Sequence, residues 1–248
     1  MPRFFIEQIV GAGQPSVRLS GPDAYHIATV LRMQSGDSLL VCDGARTDLD
    51  CRIEAVTPEG VELAVLSRTP NQTEPVYHVT LYQGLVKGDK FDQIIQKSVE
   101  LGVSRVVPVA CRRSIAVIQA RDRDRKTARW QKIAAEAAKQ CGRGMVPEVA
   151  PPVMFAGCVA QASAAALALI PWELERTRTL RAALGEDDDT VPKSISLIIG
   201  PEGGLTEDEV GLARAAGILP VTLGKRILRA ETAGPAVLAM LLYRYHDF

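Results

Sequence analysis

The sequence has no segment long and apolar enough to enter a membrane. Its longest uninterrupted apolar run, residues 164–172, has nine residues, whereas a bilayer span needs roughly 20. The first residues also lack the apolar stretch of a signal peptide. We therefore expect no membrane partner.

Patterns for metal binding and for disulfides are missing as well. The five cysteines are odd in number, and no two of them form a CxxC pair. The three histidines, His26, His78 and His246, are scattered along the chain. The sequence thus predicts neither a metal site nor disulfides, and a reducing cytoplasm fits these cysteines best.

Common catalytic fingerprints are absent too. The chain contains no GxGxxG or GxxxxGK[ST] phosphate loop, no GxSxG elbow and no HExxH pair. Their absence counts against nicotinamide-dependent enzymes, P-loop enzymes, hydrolases with a nucleophile elbow and zinc proteases.

The composition that remains is that of an ordinary globular protein. The 248 residues are 47% apolar and 23% charged, which suits one large domain or two modest ones. Residues 1–70 show short strand patterns with one helix near Pro22, and they predict a small barrel or sandwich. Residues 69–75 contain two prolines and no apolar residue, so we predict a linker there. After Pro75, strands alternate with helices, which predicts an α/β fold with a mostly parallel sheet.

The formal net charge of zero hides an uneven distribution. Residues 1–70, 71–146 and 147–248 carry net charges of −3, +7 and −4. Ten cationic side chains fall between Arg112 and Arg143, and such a cluster can bind the phosphates of a nucleic acid. A solvated helix face is an equally good interpretation of the charges alone. Trp130 lies in this stretch, and its helical spacing favours a core position.

Two glycine-containing loops are the best candidates for a functional site. Residues 198–207 run from a buried strand through GPEGGLT to a helix, where Thr206 and Glu209 predict a capping box. Residues 223–233, LGKRILRAETA, again join a strand to a helix. A third loop around 169–173 could join them, because open α/β sheets bind ligands at the carboxyl ends of their strands. The glycine-rich loop could also be a turn that merely ends a strand.

These two loops resemble the cofactor-binding motifs of the RsmE family, the ribosomal RNA small subunit methyltransferase E proteins of the SPOUT class. The similarity extends along most of the chain. Met1–Phe5 resembles the family's N-terminal signature, and His26 with residues 30–32 resembles its PUA-like domain. The central block is matched by Lys87–Lys90, Lys97, residues 100–102, Arg113, Arg129, residues 136–140 and Arg143.

The resemblance implies a PUA-like RNA-binding β-barrel at residues 1–72 and a SPOUT methyltransferase domain at residues 76–248 with a deep C-terminal trefoil knot. It further implies a homodimer, S-adenosyl-L-methionine as cofactor, and methylation of N3 of one uridine in 16S rRNA, either free or in the assembled small ribosomal subunit. The cofactor-binding residues it implies are Leu169, Ile170, Pro171, Ile199, Gly200, Pro201, Gly203, Gly204, Leu223, Gly224, Ile227, Leu228, Thr232 and Ala233.

The chemistry of that reaction assigns roles to two further residues. Uracil N3 must lose a proton before it attacks a methyl group, and its flanking carbonyl oxygens gain negative charge. We expect Arg229 to stabilise this charge and Glu231 to accept the proton, although Glu231 could instead cap the helix or orient Arg229. Because the arginine fork matches a phosphate group, the predicted RNA-binding residues are Arg3, Arg32, Arg112, Arg113, Arg129 and Arg143.

Three alternatives remain open at the level of the sequence. A SPOUT enzyme that methylates a ribose 2′-hydroxyl would share the two loops but not the N-terminal block. A non-catalytic RNA-binding protein would keep the basic stretch and bind no cofactor. A nicotinamide-dependent enzyme would fit the α/β pattern but lacks the glycine fingerprint.

Overall fold

The computed structural model describes residues 1–6, 10–11, 13–185 and 190–245. His246 and the acidic stretch 186–189 lie outside the described residues. The chain divides into two compact units, one formed by Met1–Glu74 with Ala138–Val146 and the other by Pro75–Ala137 with Pro147–Phe248. Each unit is described by itself below.

The first unit is built around a five-stranded sheet. Its elements are β1 (Arg3–Phe5), β2 (Ser16–Leu19), α1 (Gly21–Tyr25) with a following π-helical turn (His26–Val30), β3 (Ser38–Cys42), β4 (Thr47–Thr57) and β5 (Gly60–Pro70). The strand order is β1-β3-β4-β5-β2, and β1 is parallel to β3 while the other neighbours are antiparallel. Along β4, Leu49, Cys51 and Ile53 are buried and alternate with polar residues, because successive side chains of a strand point to opposite faces.

The segment predicted as a linker, residues 69–75, is held by hydrogen bonds. β5 continues to Pro70, and Asn71 donates from Nδ2 to Oδ2 of Asp48 at 2.9 Å. The carboxylate of Glu74 accepts a hydrogen bond from the backbone N–H of Gly144, also at 2.9 Å. The absence of apolar residues suggested a free connection, but these polar side chains bind partners that are distant in sequence.

The second unit contains a parallel sheet with helices between its strands. Its elements are β6 (His78–Gly84), α2 (Lys90–Glu100), β7 (Arg105–Ala110), a 3-10 turn (Ala120–Asp122), α3 (Arg123–Cys141), β8 (Glu148–Val149), β9 (Val153–Met154), α4 (Phe155–Ala162), β10 (Leu167–Pro171), α5 (Leu180–Leu184), β11 (Ser194–Ile199), α6 (Glu207–Ala215), β12 (Leu219–Val221) and α7 (Ala230–Arg244). The strand order is β12-β10-β11-β6-β7-β8, with β9 beside β7, and all pairs are parallel. The last residues of α3, from Ala138, belong to the first unit.

The predicted α/β fold of this unit is confirmed. Strands β6 and β11 are buried along nearly their whole length, as expected when a parallel sheet is covered on both faces. Helix α4 was not predicted, although Phe155, Cys158, Val159 and Ala162 are buried at helical spacing. Within the described part of the chain, no helix combines the length and the apolar character that a bilayer crossing requires.

Candidate functional site

Three neighbouring strands, β10, β11 and β12, end at the same edge of the parallel sheet. The loops that follow them line one cavity of about 1040 Å³. Ligands of open α/β sheets bind at this edge. The two loops chosen from the sequence therefore meet, and the loop after β10 joins them.

Most of the predicted cofactor-binding residues line this cavity. They are Pro171, Ile199, Gly200, Pro201, Gly203, Gly204, Leu223, Gly224, Ile227, Leu228 and Ala233. Leu169 and Ile170 are instead buried within β10, and Thr232 lies in the first turn of α7 without facing the cavity. Arg229 lines the cavity, whereas Glu231 does not.

The loop after β11 requires glycine at several positions. A Cβ atom on Gly200 would lie 3.0 Å from Cγ of Leu205. At Gly204 φ is +71°, and a Cβ atom would lie 2.5 Å from Oε1 of Glu173. The predicted capping box that follows is confirmed, since Thr206 and Glu209 bond each other's backbone N–H at the start of α6. The glycines thus let the loop fold tightly against its neighbours, with its backbone along the cavity.

The loop after β10 contributes residues that the sequence analysis did not assign to the site, among them Glu175. The Oε1 atom of Glu175 accepts hydrogen bonds from Oγ1 and N of Thr177 at 2.6 and 2.8 Å and from N of Arg178 at 3.1 Å. These bonds, that of the Thr177 hydroxyl first, lower the pKa of Glu175 to about 2. An ionised Glu175 therefore organises this wall of the cavity.

Trp172 also lines the cavity, and its indole nitrogen is unsatisfied. Its backbone N–H donates to the carbonyl of Val221 at 3.0 Å, which ties the loop to β12. Its Nε1 atom is buried and has no partner among the described residues. Since buried donors in folded proteins are generally paired, this N–H marks a place where a ligand acceptor fits. The signal in the sequence was weak, because a lone tryptophan after a strand is usually core.

The loop after β12 carries three of the cationic residues that line the cavity, Lys225, Arg226 and Arg229. Gly224 has a φ of +108°, and its N–H donates to Oγ1 of Thr222 at 3.2 Å. Arg229 is the N-cap residue of α7 and is exposed. Glu231, in the first turn of that helix, forms an ion pair with Lys90, with 3.1 Å between Nζ and Oε1. The pKa of Glu231 lies below its ordinary value because its own backbone N–H, Lys90 and Arg229 stabilise the charged form.

Two of the predicted RNA-binding arginines lie in the first unit with little exposure, Arg3 partly buried and Arg143 buried. Arg3 donates to both carboxylate oxygens of Asp48 at 2.8 Å. The side chains of Arg143 and Glu74 are only 5% and 4% exposed, and two hydrogen bonds of 3.1 and 2.5 Å join them. This geometry argues against the prediction for both residues, because their guanidinium groups are already engaged with carboxylates away from solvent.

The other predicted RNA-binding arginines are exposed. Arg112 pairs with Asp208 at 2.9 Å and its side chain is 70% exposed. Arg129 pairs with Asp92 and is 58% exposed. Arg113 donates to carbonyl oxygens of the glycine-rich loop, and Arg32 lies at the surface of the first unit. Exposed pairs of this kind contribute little to stability, so a phosphate can compete for Arg112 and Arg129.

Trp130, which lies between these cations, is a core residue as predicted. It is 5% exposed, and its ring packs on Phe91 with 4.4 Å between the centroids. It cannot serve as an exposed platform for a base.

Two parts of the chain match known protein families. Residues 19–66 match the RNA methyltransferase PUA domain, and residues 72–242 match the RNA methyltransferase domain. Ribosomal RNA small subunit methyltransferase E of Bacillus subtilis is 34% identical over 98% of this chain and 97% of its own. The chain belongs to the RsmE family. The same enzyme of Synechocystis is 36% identical over 95% of this chain and 74% of its own.

A solved structure shows the family's cofactor. The Neisseria gonorrhoeae member was solved bound to S-adenosyl methionine. It is 33% identical to this chain with a TM-score of 0.87, and the match spans 98% of this chain and 97% of the Neisseria chain. The cavity fits this group, since its glycines leave room for close approach of a ligand to the backbone and the Trp172 N–H awaits an acceptor. Among the residues described, no cluster of three or more His, Cys, Asp or Glu side chains could hold a metal ion.

Proposed function

We propose that this protein is a 16S rRNA methyltransferase that uses S-adenosyl-L-methionine to methylate N3 of one uridine. The observation that carries the proposal is the cavity where the three strand-end loops meet, with Arg229 on its lining and Glu231 two residues further along the chain. Relatives that match this chain over nearly its full length are named as small-subunit rRNA methyltransferases. The reaction would take place in the cytoplasm, on free rRNA or on the assembled small subunit.

The cofactor is assigned to the cavity between the three loops. When bound, S-adenosylmethionine supplies the methyl group from its sulfonium sulfur, which keeps the electron pair of the broken C–S bond. Backbone groups around Gly200, Leu223 and Leu228 would hold its adenine and sulfonium ends, and Trp172 would donate to one of its acceptors. Leu169 and Ile170 would act only through the backbone, because their side chains are buried in the sheet.

Two residues at the start of α7, Arg229 and Glu231, act on the uracil. The N3–H bond breaks first and its proton passes to the carboxylate of Glu231, after which the electron pair left on N3 attacks the methyl carbon. Arg229 stabilises the negative charge that develops on the two uracil carbonyl oxygens. The Glu231 carboxylate is ionised at neutral pH, as a proton acceptor must be, and its lowered pKa makes it a weak base.

For the RNA we retain three of the four predicted arginines that are exposed, because Arg113 instead donates to the glycine-rich loop. Arg32 belongs to the first unit, and Arg112 and Arg129 belong to the second. Their fork-shaped guanidinium groups suit phosphate oxygens. Uracil N3 is the hydrogen-bonding edge of a paired base, so the target uridine must be unpaired or flipped out of its helix.

We further propose that the first unit is a PUA-like barrel, and that the second is a SPOUT fold with a trefoil knot which acts as a homodimer. The path of the chain supports the knot, since α7 follows the edge strand β12 but packs against β6 and β11 in the middle of the sheet. Exposed apolar side chains on α7 support an interface between copies, because Met240 is 44% exposed and Tyr243 is 79% exposed.

Mass spectrometry of 16S rRNA from cells with and without this protein tests the proposed function. We expect the loss of one base methyl group, located at N3 of a uridine, and its return when the wild-type protein is supplied. Arg229→Ala should not restore the methyl group, although its affinity for S-adenosylmethionine should stay within a few-fold of wild type. An unchanged methylation pattern, or a lost methyl group on a ribose, would overturn the proposal.

A further inference from the structure

Lys90 contacts the proposed proton acceptor from a part of the chain that the predicted site did not include. Lys90 is the first residue of α2, and Glu231 is the second residue of α7. The two helices pack against each other, and 3.1 Å separates Nζ of Lys90 from Oε1 of Glu231. The start of α2 is also tied to the glycine-rich loop, since the backbone N–H of Lys87 donates to Oε1 of Glu202 at 3.0 Å. Lys90 therefore lies beside the loops that form the cavity.

The two oxygens of the Glu231 carboxylate have different surroundings. Oε1 is held by Lys90, whereas Oε2 is buried and has no hydrogen-bond partner among the described residues. A buried acceptor without a donor is costly and therefore rare in folded proteins. Glu231 does not itself line the cavity, but the adjacent Arg229 and Ala230 do, so we take this oxygen as the acceptor for a donor that arrives with the substrate.

We infer that Lys90 is a positioning residue that holds one oxygen of Glu231 so that the other is presented to the N3–H of the target uracil. This inference rests on the proposed function. We expect Lys90 also to hold Glu231 away from Arg229, the other cation that stabilises its charged form. If Glu231 turned toward Arg229, neither group would be free for the uracil, because the carboxylate would neutralise the cation that the developing negative charge needs.

Exchange of Lys90 for a neutral side chain of similar length tests the inference. We expect Lys90→Met to lower kcat at least tenfold, a part of the roughly 10²–10⁴ that a general base contributes. The affinities for S-adenosylmethionine and for RNA should stay within about twofold of wild type, since Lys90 touches neither in this arrangement. Lys90→Arg, which restores the cation, should recover most of kcat.

The pH profile of kcat separates positioning from a general structural role. Charged groups that stabilise ionised Glu231 are Lys90, from α2, and Arg229, which precedes it. Loss of Lys90 raises the pKa of Glu231, so the acid limb of the profile should move to higher pH in Lys90→Met. The matched control is Lys97→Met on the same helix, where Lys97 pairs with Glu100 at 3.0 Å. That variant should leave both kcat and the profile unchanged.

A double variant keeps the test decisive. If Lys90 acts through Glu231, then Lys90→Met combined with Glu231→Gln should be no slower than Glu231→Gln alone. The inference would be overturned if Lys90→Met had the kcat and pH profile of the wild type. It would also be overturned if the losses of kcat in the two single variants added in the double variant. Failure of the wild-type protein to methylate uridine would instead refute the proposed function. Circular dichroism spectra identify a variant that does not fold, in which case Lys90→Gln replaces Lys90→Met with the same expectations.

Discussion

Arg113 supports the glycine-rich loop of the cavity through the carbonyl oxygen of Gly203. Its Nη1 atom donates to that oxygen at 3.3 Å and to the carbonyl oxygen of Leu205 at 3.4 Å. A Cβ atom on Gly203 would lie 3.0 Å from Cβ of Arg113, so the loop also packs on the stem of this side chain. The side chain of Arg112, the preceding residue, donates to Asp208 instead, and only its backbone N–H contacts Glu209.

This contrast predicts different effects for two adjacent alanine substitutions. Arg113→Ala should weaken binding of S-adenosylmethionine about fivefold, because the loss of hydrogen bonds to the loop costs about 1 kcal/mol. Arg112→Ala should leave cofactor affinity unchanged and weaken RNA binding, with a shallower salt dependence. Calorimetric titration of each variant with cofactor, and RNA binding at several salt concentrations, measure these effects.

The reverse pattern would contradict this division of roles. If Arg113→Ala bound the cofactor normally and lost RNA affinity as Arg112→Ala does, then Arg113 would be an RNA-binding residue, as its sequence context suggested. The guanidinium group is exposed, so the measurement decides between two uses of one side chain.

Gly84, at the end of β6, lies against the glycine-rich loop of the cavity. Its substitution tests how closely this loop must pack on β6. A Cβ atom on Gly84 would lie 2.5 Å from the backbone N of Pro201 and 2.8 Å from the carbonyl carbon of Gly200. Backbone atoms cannot rotate away as the end of a side chain can. Gly84→Ala should therefore displace the loop, destabilise the fold by about 1–3 kcal/mol and lower cofactor affinity at least tenfold.

Gly211, in α6, is the matched control for that substitution. A Cβ atom there meets nothing within 4 Å, and alanine is favoured over glycine inside a helix by roughly 0.5–1 kcal/mol. Gly211→Ala should raise the thermal midpoint slightly and leave cofactor affinity unchanged. Similar behaviour of the two variants in unfolding and cofactor titrations would show that the fit at Gly84 is not required.

The features that the sequence predicted correctly are those set by local chemistry. Alternation of strands and helices, and the Thr206 and Glu209 capping box, depend on residues that are near in sequence. The pairs that Arg3 and Arg143 form with carboxylates depend on partners 45 and 69 residues away. Composition marked those arginines as cations, but only the fold shows that their charge is already neutralised.

The same distinction explains what was found and missed around the cavity. Glycines after buried strands indicate a ligand loop, because parallel strands place their carboxyl ends together. The pairing of Lys90 with Glu231 joins α2 to α7 and has no local signature. Glu175 organises a loop through hydrogen bonds to Thr177 and Arg178, and an acidic residue two positions before a threonine is too common a pattern to predict this.

The buried pair of Arg143 and Glu74 should be essential to the first unit. Glu74→Gln removes the charge that compensates a buried guanidinium group, and such a loss costs roughly 3–5 kcal/mol. The matched control is Glu62→Gln, which breaks a pair with Arg18 whose side chains are 40% and 48% exposed. That variant should cost less than about 1 kcal/mol. Urea unfolding of both variants measures the difference, and equal stabilities would show that the Arg143 charge is compensated elsewhere.

Glu175 should make the cavity sensitive to acid. Its pKa is lowered from the ordinary value of 4.5 to about 2 in the folded protein. A lowered pKa stabilises the fold above the unfolded value, and this stabilisation is lost as the pH falls from about 4.5 toward about 2. Cofactor affinity should fall over the same range, because protonation removes the negative charge that strengthens the hydrogen bonds from Thr177 and Arg178 to Oε1.

Glu175→Gln tests this dependence by removing the titrating group. Thermal midpoints measured between pH 7 and pH 3 should decline less steeply in the variant than in the wild type, while its midpoint at pH 7 should be lower. The amide oxygen can still accept in the place of Oε1 but carries no negative charge, so the loop should retain part of its order and bind the cofactor more weakly at pH 7. Parallel declines of the two proteins with pH would show that other carboxylates, and not Glu175, account for the acid sensitivity.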